Sequence, residues 1–149
     1  MEIERKFLPK NIPYDLSKYP CHKISQAYLC TGPVIRIRRQ DNDYILTYKS
    51  GGMMMREEYN LPLNEEAYNH LLKKADGIVI SKTRYVIPLD EKHNIELDIF
   101  DEPHAPLQML EVEFSSEEDA NSFNPPEWFG EEVTYDRRYH NSYLSKNLL

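Results

Sequence analysis

The chain has 149 residues, of which 40% are hydrophobic and 29% are charged, a balance typical of a folded domain rather than a disordered segment. Its 25 acidic residues outnumber the 18 basic ones, and the net charge of −7 argues against a nucleic-acid binder. No apolar run could span a bilayer, the charged first residues exclude a signal-peptide core, and the only cysteines are Cys21 and Cys30. We therefore predict one cytoplasmic domain over residues 1–149, with no membrane or nucleic-acid partner.

Segments in which apolar and polar residues alternate dominate the chain and predict strands. In chain order they cover residues 2–8, 25–30, 34–40, 44–50, 54–63, 78–89, 94–101 and 107–114. Turn signals such as Thr31-Gly32-Pro33 and Ser50-Gly51-Gly52 separate them. The short connections favour antiparallel neighbours, so the predicted fold is mainly β with about eight strands.

Three helices are predicted between and after these strands. One starts at Asn64, a capping residue, and stops at Gly77. A second begins with the capping-box pair Ser115 and Glu118. A third follows Asp136 and is expected to pack on the body, across one mouth of it. The proline-rich stretch SFNPPEWFGEE before it is expected to be a loop that covers apolar surface.

The charged residues of the predicted strands share one face of each strand, opposite an apolar face, and they are grouped by sign. The carboxylates on these faces are Glu2, Glu4, Glu58, Glu96, Asp98, Glu111 and Glu113, and the cations are Lys6, Arg36, Arg38, Lys49, Arg56, Lys82 and Arg84. Like charges two residues apart on one face repel each other unless something between them compensates.

Two arrangements account for this pattern. In a sandwich, the charged faces would simply meet water. In a closed barrel, they would line a lumen that holds one ligand, with an anion between the cations and a metal between the carboxylates. The five histidines show no ligand spacing, and carboxylate oxygens favour Mg²⁺ or Mn²⁺ bound partly through a phosphate.

The ordered motifs resemble those of the CYTH, or triphosphate tunnel metalloenzyme, superfamily. EIERKF resembles the family's ExExK signature, and the other matches follow in the family's order over nearly the whole chain: QAYL, VIRIRR, LTYKSGG, REEYNLPL, SKTRYVIP, ELDIF, LEVEF and EWFGEEVTYDRRYHNSYLS. The resemblance implies a closed eight-stranded antiparallel β-barrel with a few short helices and a C-terminal helix, which binds a triphosphate with Mg²⁺ or Mn²⁺. The short bacterial members are the most similar.

The resemblance also implies roles for the matching residues. The metal-binding carboxylates would be Glu2, Glu4, Glu111 and Glu113, with Glu58 and Asp98 at a second metal or ordering the basic residues. Phosphate oxygens would be held by Lys6, Arg36, Arg38, Lys49, Arg56, Lys82 and Arg84. Two residues depart from the family's pattern. Asn60 stands where the family often has a carboxylate, and Asn94 stands where it often has a tryptophan. Both departures count against a second metal site.

The catalytic base has two candidates. Glu113 is one, as a carboxylate of the metal site. Lys82 is the other, because crowding by arginines would lower its pKa, and Tyr28 could orient it by hydrogen bonding.

The expected activity is metal-dependent hydrolysis of inorganic tripolyphosphate to pyrophosphate and phosphate, by a monomer or homodimer. Other substrates remain open, namely thiamine or nucleoside triphosphates. Two other functions also remain open: a class IV-type adenylyl cyclase and a non-catalytic polyanion-binding module.

Overall fold

The computed structural model describes all 149 residues and contains one antiparallel sheet of ten strands. The strands are β1 (Glu2–Pro9), β2 (Cys21–Thr31), β3 (Val34–Gln40), β4 (Asp43–Lys49), β5 (Met55–Arg56), β6 (Glu58–Leu63), β7 (Asp76–Pro88), β8 (Asn94–Phe100), β9 (Gln108–Glu113) and β10 (Phe129–Glu132). The helices are α1 (Glu65–Leu72), α2 (Glu117–Ser122) and α3 (Asn141–Leu144), and 3₁₀ turns cover Leu16–Lys18 and Arg137–Tyr139. None of the helices combines the length and apolar character needed to cross a membrane.

The sheet curls into a near-closed barrel. Its strand order is β10-β1-β9-β8-β7-β2-β3-β4-β6, and β5 pairs with β1 beside this path. Only Glu57 separates β5 from β6, so these two strands bring the ends of the sheet together. The predicted antiparallel barrel is confirmed. It has ten strands rather than eight because the segment 54–63 breaks at Glu57 and because β10 adds to β1.

The register of the strands places charged residues of neighbouring strands side by side. Glu4 of β1 lies opposite Glu113 of β9, and Lys6 lies opposite Glu111. Because side chains alternate between the two faces of a strand, these residues point into the barrel together and the apolar residues between them point outward.

The largest hydrophobic cluster therefore lies on the outer face of the barrel wall. Phe7, Leu97, Leu110 and Val112 are at most 1% exposed. α2 and β10 are among the chain segments that cover them, and the ring of Phe129 of β10 packs at a tilt against Phe7 with ring centroids 5.0 Å apart. The wall is thus apolar outside and charged inside, the reverse of the usual arrangement.

A second cluster closes one end of the barrel. Leu144 of α3 is fully buried against Tyr28, Ile80 and other residues at that end. The predicted C-terminal helix does pack across a mouth of the barrel. It is shorter than expected, because the backbone forms a 3₁₀ turn over Arg137–Tyr139 before α3 begins.

Three local predictions were wrong. α1 ends at Leu72, and Gly77 lies inside β7 with φ of +78° rather than ending the helix. The cap of α2 is Ser116, whose hydroxyl accepts from the Asp119 amide at 3.0 Å, and not Ser115. The proline-rich stretch is not all loop, because its last residues form β10.

Candidate active site

Most of the predicted site residues line one cavity of about 200 Å³ inside the barrel. They are Glu2, Glu4, Lys6, Arg36, Arg38, Lys49, Glu58, Arg84, Glu111 and Glu113. Tyr28 and Arg56 line a smaller adjoining cavity towards α3. Lys82 and Asp98 are buried behind the lining and face neither cavity.

Several of these charged side chains are as buried as the hydrophobic core. Lys6 is 2% exposed, and Glu111 and Arg36 are each 5% exposed. The sandwich alternative, in which the charged faces meet water, is therefore wrong. Burying so many charges is costly unless each is partnered, so their partners indicate what the cavity is built to bind.

Lysines and glutamates share the cavity as ion pairs. Lys6 Nζ lies 3.1 Å from Glu111 Oε1 and 3.6 Å from Glu4 Oε1. Lys49 Nζ lies 2.9 Å from Glu2 Oε1. Each lysine is thus paired with glutamates that the resemblance assigns to the metal. The residues expected to bind the metal and those expected to bind phosphate are therefore in contact with each other.

Arg84, Asp98 and Lys82 form a buried cluster, which Arg84 connects to the cavity. Arg84 donates to both carboxylate oxygens of Asp98, at 2.8 and 2.9 Å, and Lys82 Nζ lies 2.6 Å from Asp98 Oδ2. Burial lowers the pKa of Lys82 to about 8, and the charges of Arg84 and Arg38 act in the same direction while Asp98 opposes them. The crowding predicted for Lys82 is present. No hydrogen bond joins it to Tyr28, so the structure does not bring these two predicted partners together.

The carboxylates of the cavity also crowd one another. Burial, and then the charge of Glu4, raises the pKa of Glu2 to about 7. Burial, Glu4 and Glu58 likewise raise the pKa of Glu113. Burial would also raise the pKa of Glu58, but a hydrogen bond from Glu2 and the Lys49 ammonium outweigh it and lower that pKa to about 2.

A divalent cation fits this donor set chemically. The cavity offers glutamate oxygens, with neither sulfur nor imidazole among them, which are the ligands that Mg²⁺ and Mn²⁺ prefer. As the side chains stand, no three acidic, histidine or cysteine groups converge closely enough to hold an ion. Lysines occupy several of the carboxylates instead, so a cation would have to replace those ammonium groups.

The arginines form the complementary group. Burial, followed by the charges of Arg36 and Arg84, lowers the pKa of Arg38. The buried Nε of Arg36 has no hydrogen-bond partner. The repulsion between these arginines, which Asp98 only partly offsets, and the free donor of Arg36 both favour an anion at this place.

Six polar residues of the cavity region were not predicted as site residues, and two of them, Gln40 and Asn60, line the cavity. Gln26 accepts from Arg38 Nε at 2.8 Å, and Thr47 accepts from Arg36 Nη2 at 3.3 Å. Glu96 lines the cavity, and so does Asn141 of α3, whose buried Oδ1 has no partner. For Thr47 and Glu96 the signal was available, because each lies two residues from a charged site residue that was predicted, Lys49 or Asp98, and shares its face.

A small antiparallel barrel with an acidic and basic lumen is the architecture of a tunnel that takes up a polyanion together with a cation. The CYTH domain model matches residues 1–146, and the chain belongs to this family.

Curated and solved relatives of similar size were found. The chain is 40% identical over 151 residues to the inorganic triphosphatase of Nitrosomonas europaea, covering 99% of this chain and 98% of that protein. It is 32% identical over 152 residues to the inorganic triphosphatase of Acetivibrio thermocellus, covering 98% and 94%. The crystal structure of the inorganic triphosphatase NE1496 has a TM-score of 0.74 at 37% identity, covering 99% of this chain and 96% of that one.

Proposed function

We propose that this CYTH protein is a divalent-metal-dependent hydrolase that cleaves inorganic triphosphate to pyrophosphate and phosphate. One observation carries the proposal, namely the composition of the lumen. A cavity of about 200 Å³ contains five cations and a single apolar lining residue, Ile45. Sites for organic ligands are lined mainly by hydrophobic and aromatic side chains. This lumen offers little to a nucleobase or a thiazole ring, whereas it suits a bare chain of phosphates.

The chemistry of the basic side chains supports binding of such a chain. Arginine contacts phosphate through two parallel N–H bonds, and lysine contacts it as a point charge. We assign phosphate binding to the lumen cations Lys6, Arg36, Arg38, Lys49 and Arg84, with Arg56 at the adjoining cavity. Lys82 does not reach the lumen and acts through Asp98, which it helps to keep ionised.

Glu2, Glu4, Glu111 and Glu113 would hold Mg²⁺ or Mn²⁺, with Glu58 beside them. When bound, such an ion neutralises phosphate charge and acidifies a water molecule. Asp98 is better explained as the carboxylate that orders Arg84, because both of its oxygens accept from that guanidinium.

The two candidate bases differ in their access to the lumen. Glu113 lines the cavity, whereas the Lys82 ammonium is fully enclosed and lies against Asp98. We therefore assign to Glu113 the acceptance of the proton from the attacking water. Cleavage of the terminal P–O bond then leaves pyrophosphate, with the cations holding its oxygens. If Lys82→Met loses turnover and Glu113→Gln retains it, this assignment is wrong.

The test is phosphate release from tripolyphosphate, ATP and thiamine triphosphate with Mg²⁺ or Mn²⁺. We expect tripolyphosphate to be the fastest substrate, and Glu4→Gln to lose at least about a hundredfold in kcat, the range for removal of a strong transition-state interaction. Glu91→Gln is the matched control, since Glu91 is exposed in the β7–β8 turn. No phosphate from any substrate, or cyclic nucleotide from ATP, would overturn the proposal.

We also propose that the reaction takes place in the cytoplasm. Cys21 and Cys30 are free thiols, which persist in a reducing compartment.

A further inference from the structure

A second cavity lies outside the tunnel, where the C-terminal segment meets the barrel. We call it the vestibule. It is bounded by the turns 31–34 and 50–53, by Arg56 and by the segment 137–147, and its volume is about 620 Å³. It shares no lining residue with the central cavity. Val34, Arg56, His140 and Ser142 line both the vestibule and the small inner cavity, so these two cavities adjoin each other.

The charge of the vestibule is opposite to that of the protein as a whole. The chain contains 25 acidic residues among 149, yet none of the fifteen residues that line the vestibule is acidic. Three of them are cations, namely Arg56, Arg137 and Lys146. A concave surface lined by one sign of charge concentrates ions of the other sign.

Two of these cations have no partner within the protein. Arg137 and Lys146 take part in none of the ion pairs or side-chain hydrogen bonds of the structure. The neighbouring Arg138 shows the contrast, because its guanidinium is held by Asp136 at 2.6 Å. The donors of Arg137 and Lys146 are therefore free for a ligand, and both residues belong to the segment that closes the barrel.

The turn 50–53 also lines the vestibule, and its backbone requires a glycine. Gly52 has φ of +121°, and a Cβ at this position would lie 2.4 Å from the Met55 carbonyl oxygen. Only glycine fits there. The backbone of the turn 50–53 thus depends on Gly52, and this turn lines the vestibule together with the free cations.

We propose that the vestibule is a second anion site, which binds a small phosphorylated anion such as pyrophosphate. Two free cations beside Arg56, which pairs with Glu2 and Glu4 at 3.5 Å, in a lining without acidic residues favour an anion that carries more than one charge. The volume lies in the range of small-molecule sites. A bound anion would join α3 to the barrel through Arg137 and Lys146 on one side and Arg56 on the other. The site needs no turnover in the tunnel, and it shares only Arg56 with the residues to which we assign phosphate binding.

The test measures pyrophosphate binding by calorimetry without added metal. Because the tunnel is expected to bind phosphates as well, the background protein carries Arg36→Ala and Arg38→Ala, with its fold checked by circular dichroism. We expect this background to bind one pyrophosphate. Adding Arg137→Ala and Lys146→Ala should weaken binding at least tenfold, whereas adding Arg138→Ala should change it less than twofold. No binding to the background, or equal binding after removal of both free cations, would overturn the proposal.

A second measurement uses the wild-type chain and does not depend on folding of the quadruple variant. Acetylation of lysines is followed by mass spectrometry with and without pyrophosphate. We expect pyrophosphate to slow modification of Lys146 severalfold, while the exposed Lys18 on the far 3₁₀ turn reacts at an unchanged rate. Orthophosphate and adenosine monophosphate in parallel distinguish a free inorganic anion from a phosphate ester. Equal reactivity of Lys146 under all these conditions would refute the site.

Discussion

At the scale of single residues, Gln26 has an exceptional environment. It is fully buried, its Oε1 accepts from Arg38 Nε at 2.8 Å, and its Nε2 has no partner. Arg38 is repelled by its arginine neighbours. The neutral acceptor Gln26 holds its guanidinium in place without cancelling its charge. We infer that Gln26 is a positioning residue, which acts on the substrate through Arg38.

Replacing Gln26 with leucine should therefore weaken substrate binding more than it slows the chemical step. A hydrogen bond to a charged group contributes about 1.5–3 kcal/mol, which corresponds to a rise in KM of about ten- to a hundredfold. The measurement is steady-state kinetics with tripolyphosphate, and Ser25→Ala on the opposite face of β2 is the control. A fall in kcat at unchanged KM would contradict a positioning role through Arg38.

Sequence reasoning found charged lumen residues more readily than neutral ones. The grouping of charges by sign is visible within a single strand, as for Arg36 and Arg38. Because these residues are two positions apart, the alternation of side chains predicts that they share one face. Gln26 carries no such signal, because a glutamine on one face of a strand is ordinary. Its role depends on Arg38 of the adjacent strand, and this pairing exists only after β2 and β3 have found their register.

At the scale of elements, the closing segment depends on a glycine in β7. Gly77 has φ of +78°, and a Cβ there would lie 2.2 Å from the Ser145 carbonyl oxygen. That carbonyl accepts from the Ile78 amide at 2.5 Å. The residue after α3 is thus joined to β7 at a point where no side chain fits.

Gly77→Ala should loosen this junction. The left-handed conformation costs a residue with a side chain about 1–2 kcal/mol, and the clash with Ser145 adds to this cost. Denaturant unfolding should show a loss of at least about 1 kcal/mol in the free energy of unfolding. Gly51→Ala is the matched control, since a Cβ there meets nothing within 4 Å. Equal stability of the two variants would show that the junction does not hold the closing segment.

His93 joins the β7–β8 turn to α2. Its Nδ1 lies 3.0 Å from Asp90 Oδ2 and its Nε2 lies 3.0 Å from Asp119 Oδ2. Both nitrogens can donate only when the ring is protonated. Accordingly, the hydrogen bond to Asp90, and then that to Asp119, raises the pKa of His93 although burial opposes it.

This contact should stabilise the fold at low rather than high pH. The pKa of His93 is higher in the folded than in the unfolded protein. Its contribution to the free energy of unfolding is therefore fully present below the unfolded pKa of about 6.5, and it is lost as pH rises through the folded pKa. The difference in unfolding free energy between wild type and His93→Gln should therefore be large at about pH 6 and shrink above the folded pKa. Denaturation across this range tests it, with His70→Gln on exposed α1 as control. A difference that grows with pH would reverse the sign and refute the argument.

Predictions of elements failed where distant residues decide the structure. β10 lies between prolines and a C-terminal turn, and it is a strand only because β1, more than a hundred residues earlier in the chain, offers its edge. The break at Glu57 likewise arises because β5 pairs with β1 while β6 pairs with β4. Long alternating strands such as β7, by contrast, were predicted nearly to their ends because their pattern is local.

At the scale of the whole molecule, the barrel keeps its hydrophobic core outside the wall and like charges inside. Charges held together without a ligand lower stability, and binding sites commonly carry this cost. Arg36 is an example, with 5% exposure and an unpartnered Nε.

Arg36→Met should consequently leave the ligand-free protein as stable as wild type or more stable, because it removes a buried charge and keeps most of the volume. The same variant should lose most of the thermal stabilisation by tripolyphosphate, which for a ligand at a hundred times its Kd is about 2.7 kcal/mol. Thermal unfolding with and without tripolyphosphate measures both effects. The exposed Arg39→Met serves as control. A strongly destabilised ligand-free variant would show that Arg36 supports the fold.

The shared ion pairs of the lumen have a thermodynamic consequence. Lys6 lies between Glu111 and Glu4, and Lys49 lies against Glu2. An anion that draws these ammonium groups away frees carboxylates for a cation, and a cation that occupies the carboxylates frees the ammonium groups for an anion. Each ligand therefore raises the affinity of the other by the same factor, since such linkage is reciprocal. The tunnel should behave as a heterotropic switch that fills with both ligands together and holds either one alone weakly.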